Sequence, residues 1–263
     1  TAWTDMKIAV LADIHANYPA LRAVAEHIQD WGPDRVIVAG DIVNRGPRPV
    51  ECWEFVQRKE NEQGWILLRG NHEDYVCVHS KPDAPQVGPL ADLYQYSYWT
   101  YQKLGDTASL LEALPTQYSW SDPQAGELRG VHASMRSNRH GIYPEMADAT
   151  LKRLIKPAPA LLAVGHTHRP MIRQVEDTLI VNSGSVGLPF DGDPLANYAQ
   201  ISFSNAHWQA KIIQVPYDIQ RAKDDFTETG FLDEAGPLAK LIHLELEYSL
   251  SQLYQWMSIY MNA

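Results

Sequence analysis

Four short apolar runs, each closed by a polar or glycine-containing cluster, constrain this chain more than any other feature. They are 7–12 (Lys-Ile-Ala-Val-Leu-Ala), 35–39 (Arg-Val-Ile-Val-Ala), 65–68 (Trp-Ile-Leu-Leu) and 160–164 (Ala-Leu-Leu-Ala-Val). Runs this short and this apolar predict strands covered on both faces. Helical periods separate the first three: 20–29, with Leu21, Val24 and Ile28 on one side, and 49–61, with Val50, Trp53 and Val56. Pro19 and Pro49 stand in first turns, where a helix tolerates proline. Strand, polar cluster and helix, repeated, predict βαβ units in a mainly parallel sheet. Such sheets bind ligands beyond the carboxyl ends of their strands, where the clusters fall.

Further along, 81–89 reads as a proline-rich loop, 90–104 as a helix carrying Tyr94, Tyr96, Tyr98, Trp99 and Tyr101, and 109–114 as a short helix. The aromatic helix either packs into the core or stacks a base. With its flanks, about 81–116, it reads as a cap-like helical insertion in a single domain over 1–263. Hairpins are predicted for 117–120 with 127–131, 171–175 with 179–182, and 199–204 with 208–215, and a helix for 145–155. The late hairpins predict a second, more antiparallel sheet packed on the first. A long amphipathic helix is predicted over 237–260, from Leu238 to Met257 and Tyr260 along its apolar side; it docks on the domain or pairs with a second copy. Residues 1–5 read as an arm before the first strand.

Composition narrows the function. The 263 residues are 45% hydrophobic and 21% charged, with a net charge of −10. An acidic chain without a Lys/Arg run is not built to coat a nucleic-acid backbone, so no stable nucleic-acid binding is expected. A small phosphorylated substrate is compatible, because bound cations supply positive charge locally. Cys52 and Cys77 form no Cys-x-x-Cys pair and read as reduced. No apolar run has the length of a membrane helix and no signal-peptide pattern opens the chain, so a cytoplasmic location is expected.

The polar clusters are Asp13 with His15, Asp41, Asn71 with His72, His132, and His166 with His168; they hold five of the ten histidines. Gly165 is expected to bend the backbone so that His166 and His168 turn to one point. Carboxylate, imidazole and amide donors without a thiolate suit borderline divalent cations rather than a structural zinc. Mn2+ or Fe2+/Fe3+ are expected first, and Zn2+, Ni2+ and Mg2+ also fit the set. Asp13, His15, Asp41 and His168 make one ligand set; Asp41, Asn71, His132 and His166 make another, with Asp41 bridging. Two ions about 3.5–4 Å apart can share a hydroxide and grip phosphoryl oxygens during in-line displacement.

Asp-x-His, Gly-Asp, Gly-Asn-His-Glu, a lone histidine after a strand and Gly-His-x-His, in that order, resemble the calcineurin-like metallophosphoesterases. The resemblance spans Asp13 to His168 and weakens toward Gly187. It implies a four-layer α/β/β/α sandwich of two mixed sheets with a binuclear metal centre. It also implies hydrolysis of a phosphomonoester or phosphodiester by a hydroxide bridging the two ions. Residues 40–46 and 68–73 resemble the corresponding segments of protein Ser/Thr phosphatases and diadenosine tetraphosphate hydrolases. By that likeness Arg45 and Arg69 touch phosphate or brace the site, and His72, with Asn71 and Arg45, serves catalysis as proton donor to the leaving oxygen. Asn17 and Arg136 are further candidates for substrate contact. Residues 165–170 and 182–193 are more similar to small bacterial and archaeal phosphodiesterases. One departure stands out. Where the protein phosphatases carry an aspartate that orients the Gly-Asn-His histidine, this chain has Asn44, which can accept a hydrogen bond but cannot stabilise an imidazolium by charge. The substrate is expected to be a nucleotide or a phosphoprotein; the alternative is a binding module that kept the fold and lost catalysis.

Overall fold

The structure, a computed structural model, describes residues 6–85 and 87–253. The first half alternates as expected: β1 (Met6–Leu11), α1 (Tyr18–Trp31), β2 (Arg35–Val38), α2 (Pro49–Gln63) and β3 (Ile66–Leu67). Then follow α3 (Asn71–Cys77), α4 (Pro89–Leu104), α5 (Ala108–Glu112), β4 (Gln117–Asp122), β5 (Gly126–Val131), α6 (Asp148–Leu154), β6 (Leu161–Val164), β7 (Met171–Val175), β8 (Thr178–Asn182), β9 (Ala196–Ser204) and β10 (His207–Val215). The described chain closes with α7 (Ile219–Glu228), α8 (Phe231–Glu234) and α9 (Ala239–Tyr248).

Two mixed five-stranded sheets result, ordered β10-β9-β1-β2-β3 and β4-β5-β6-β8-β7. In the first, β1, β2 and β3 run parallel; in the second, β5, β6 and β8 do. Alternation along β1 explains the layering. Ile8 and Val10 turn to the second sheet and meet Leu128, Leu161, Ala163 and Val181. Ala9 and Leu11 turn the other way, onto Leu21, Val24 and Ile28 of α1 and Trp53 and Val56 of α2. On the far side, Leu162, Val164 and Ile180 pack with Leu151 of α6. This is the helix–sheet–sheet–helix sandwich, an α/β fold. Both cysteines are free and buried.

Three expectations need correction. The 196–215 hairpin joins the first sheet rather than the second: β9 pairs antiparallel with β1, Met6 opposite Phe203 and Val10 opposite Ala199. Alternation marks β9 as a strand but carries no information about which edge it covers. The terminal helix stops at Tyr248, because Ser249 takes a left-handed conformation (φ 53°). The predicted continuation through Met257 and Tyr260 lies outside the described residues. Helices α3, α7 and α8 were not expected; α3 starts inside a motif that reads as a site loop. Helix α4 divides its aromatics: Tyr96 and Trp99 are buried with Phe231 and Ile242, and Tyr98 is exposed.

Candidate metal centre

The carboxyl ends of β1, β2, β3, β5 and β6 deliver the polar clusters to one edge of the sandwich. Backbone bonds stitch the loops together. Asp13 N–H donates to Gly40 O (3.1 Å), His15 N–H to Asp41 O (3.0 Å) and Gly165 N–H to His132 O (2.8 Å). Asp13 (φ 55°), His15 (47°), Asp41 (56°), His166 (70°) and His168 (57°) all lie in the left-handed region. Each such non-glycine residue costs about 1–3 kcal/mol, a strain that gathers where side chains must be aimed rather than where the fold is cheapest. The turn at Gly165 is thus made by His166 itself. Gly165 serves a different need: a Cβ there would stand 2.7 Å from Asp13 Oδ2, so only glycine lets the carboxylate pass.

Seven predicted ligands meet. His15 Nε2 lies 3.0 Å from His168 Nε2, and Asp13 Oδ1 is 4.0 and 3.7 Å from the two. On the other side, Asn71 Oδ1 lies 2.8 Å from His132 Nε2 and 2.9 Å from His166 Nδ1. Asp41 Oδ2 stands between the groups, 3.7 Å from His15 Nε2 and 3.3 Å from His132 Nε2. Except for His166, which is partly exposed, all seven are buried.

The tautomers follow from what each ring touches. His15 Nδ1 faces Asn44 O (2.9 Å), His168 Nδ1 faces Leu188 O (2.5 Å) and His132 Nδ1 faces Ala39 O (2.7 Å). A carbonyl only accepts, so each Nδ1 carries a proton, and on His15 and His168, held neutral, Nε2 presents a lone pair. Two bare nitrogens 3.0 Å apart repel, and buried Asp13 Oδ1 has no hydrogen-bond partner among the described residues. Ligands about 2.1 Å from one cation at right angles lie about 3 Å apart, which is this spacing. These residues therefore fit a divalent cation, and Asp41, His132 and His166 gather a second group of side chains able to ligate one.

The electrostatics agree. Burial pushes the Asp13 carboxyl well above the ordinary range. Burial also works against ionised Asp41, but the imidazoles of His132, His72 and His15 outweigh it and hold that carboxyl well below its usual range. Burial lowers His15 to about 3 and His166 to about 4, and takes His168 down as well. His132 is opposite: Asp41's charge and hydrogen bond overcome burial and raise it to about 10. With protein groups alone, a proton on His132 occupies the place of a cation beside Asp41.

His72 stands at the same centre, grouped with His15 and Asp41. Its Nδ1 is 3.1 Å from Asn44 Nδ2. Asn44 Oδ1 accepts from Arg45 N–H (2.9 Å) and Thr100 Oγ1 (3.2 Å), while Nδ2 also donates to Ser97 Oγ (2.8 Å). A flipped amide would set two donors against each other, so the orientation is fixed by the network. Asn44 therefore donates to His72, where the sequence reading had it accept. The proton of His72 sits on Nε2, and burial lowers the ring's pKa well below normal.

The predicted substrate contacts fare unevenly. Buried Arg45 is ion-paired with Glu245 of α9. Arg69 donates to Glu112 O (2.7 Å) and pairs with Asp74 (3.3 Å). Asn17 caps α1 through Ala20 N–H and donates to Gly187 O. Arg136 is exposed and donates to Arg153 O (2.8 Å), not to the cluster, because its loop turns back along α6. Two unpredicted residues matter. Glu73, fully buried, accepts from the backbone N–H groups of Gly70 (2.7 Å), Asp41 (2.8 Å) and Ile42 (2.7 Å). Its signal was legible: an acidic residue three positions after Gly70, where an N-terminal turn exposes amides. Phe190 stacks on His168 (4.3 Å, 14°), with no sequence signal. Of the tyrosines, Tyr75 lies edge-on to His72 (5.1 Å) and Tyr94 packs on Tyr75 (5.6 Å).

The family model of the calcineurin-like phosphoesterase superfamily domain matches residues 6–206. The uncharacterised protein MJ0912 of Methanocaldococcus jannaschii is 27% identical over 234 residues, covering 82% of this chain and 89% of that protein. Phosphodiesterase YfcE of Escherichia coli is 22% identical over 197 residues, or 74% and 87% of the two chains. The crystal structure of a metallophosphoesterase from Sphaerobacter thermophilus is 28% identical, superposes with a TM-score of 0.67, and covers 94% of this chain and 100% of that one. Among the described residues, no helix is long and apolar enough to cross a membrane.

Proposed function

We propose, from a chain that belongs to the calcineurin-like phosphoesterase superfamily, a hydrolase that cleaves a small phosphate ester at two divalent cations sharing Asp41. The observation that carries this reading is Asp41 Oδ2 standing between two groups of inward-facing ligand-type side chains. Bound there, divalent cations would supply Lewis acidity toward phosphoryl oxygens and an acidified water as nucleophile. The chain's own residues do the rest. Asp13, His15 and His168 hold one position; Asn71, His132 and His166 hold the other. The Nε2–H of His72 donates to a phosphoryl or leaving oxygen.

His72 works as a neutral donor rather than as an acid, because Asn44 gives its Nδ1 a proton to accept and no charge to lean on. Leaving groups that depart as stable anions suit such a site. Asn44→Asp supplies the missing charge and should let His72 protonate the leaving oxygen. Hydrolysis of an alkyl ester should then rise at least about tenfold relative to its nitrophenyl counterpart, a small part of what general acid catalysis can provide. An unchanged dependence of rate on leaving-group pKa would refute this assignment.

The function itself is tested on the purified protein loaded with Mn2+. Elemental analysis should find about two ions per chain, with turnover of a nitrophenyl phosphate ester that a chelator removes. Stoichiometric metal without turnover of any ester would favour a binding module on the same fold.

A further inference from the structure

Arg45 is a predicted phosphate contact, yet its charge is already matched inside the protein. Its guanidinium pairs with Glu245, whose carboxylate is fully buried. Glu245 is anchored from the other side too: Oε1 accepts from the backbone N–H groups of Gln252 and Leu253, both at 2.9 Å. These bonds tie the carboxylate to α9 and to the chain beyond it. The guanidinium stands at the wall of the metal centre. It lies 5.4 Å over the ring of Phe190, which stacks on His168. Among the described residues, nothing accepts from buried Arg45 Nε, so Glu245 is the group that compensates the guanidinium.

We infer that Glu245 is a positioning residue that sets the charge class of the substrate, making the site prefer phosphodiesters over phosphomonoesters. The inference rests on the phosphoesterase reading above. A monoester brings a phosphoryl group with up to two negative charges, and a diester brings one. A phosphate entering beside Phe190 and His168 meets a neutral Arg45–Glu245 pair instead of a bare cation. The second charge of a monoester then gains no free protein cation beyond the metals, and the fixed carboxylate behind Arg45 adds repulsion in a buried setting, where Coulomb interactions are weakly screened. The diester, with one charge, needs no such partner.

The test compares bis(4-nitrophenyl) phosphate with 4-nitrophenyl phosphate, using the full chain loaded with Mn2+. The wild-type protein should have the higher kcat/KM on the diester. Glu245→Gln removes the charge, keeps an oxygen for the two backbone N–H groups, and frees Arg45. It should move the ratio toward the monoester by about tenfold, equivalent to about 1.4 kcal/mol. It should also tighten competitive inhibition by inorganic phosphate by a similar factor. Glu245→Asp, which keeps the charge, should stay close to the wild-type ratio. A wild-type preference for the monoester overturns the inference and needs no variant to be folded. An unchanged ratio in Glu245→Gln, or equal shifts in Gln and Asp, reduces Glu245 to a structural role and also overturns it. Those outcomes leave a working phosphoesterase. Failure to hydrolyse either ester removes the phosphoesterase reading itself, and this inference with it.

Discussion

Asp41→Asn is expected to lower kcat/KM on a phosphate ester by about a thousandfold or more, a loss of about 4 kcal/mol of transition-state stabilisation. The fold should survive. Asn can still accept at the position where Asp41 Oδ1 takes the His72 N–H at 2.9 Å. Asn also tolerates the left-handed backbone (φ 56°) better than most residues. What it cannot supply is an anionic oxygen between the two groups. Metal analysis should therefore show fewer ions per chain, while the melting temperature measured in chelator falls modestly, since the ion pair with His132 is lost but His132 can release its proton. Full activity with full metal occupancy in this variant would reject Asp41 as the shared ligand.

Glu73→Ala should do the reverse, damaging the fold first. Three backbone N–H groups, from Gly70, Asp41 and Ile42, share this one buried carboxylate. Each buried donor left without an acceptor costs about 1–3 kcal/mol. We expect a loss of about 4 kcal/mol, close to 12 °C in melting temperature for a chain of this size. Because the glutamate ties the loop after β2 to the start of α3, the deficit should appear in chelator and in Mn2+ alike. Glu73→Gln keeps one acceptor oxygen but turns an amide N–H toward donors, so it should fall between. A melting temperature within about 2 °C of wild type for Glu73→Ala would mean that water replaces the carboxylate and that the loops do not depend on it.

The two variants separate aiming from binding. The centre is assembled from residues in costly backbone conformations, braced by groups that never touch a ligand. Glu73 braces the Asp41 loop. Asn182 braces the other, donating to Gly165 O (2.9 Å) and Thr167 Oγ1 (2.8 Å). Ser185 donates to Asp13 O (2.7 Å). Such support is what holds several lone pairs against their mutual repulsion.

The order of apolar runs and polar clusters was enough to determine the parallel core of the fold, the edge where a site must lie, and the seven side chains that meet there. Those features are local: a strand's period and the residue at its carboxyl end are written within a few positions. Tertiary structure alone decided the rest. Which sheet took the 196–215 hairpin depended on the open edge of β1. Whether Asn44 donates or accepts depended on Arg45 N–H and Thr100 fixing its other end. Arg45 found a carboxylate 200 positions away, in a helix whose pattern describes only a buried face. Pairings between distant polar groups leave no period in a sequence, because nothing about either residue alone records the other.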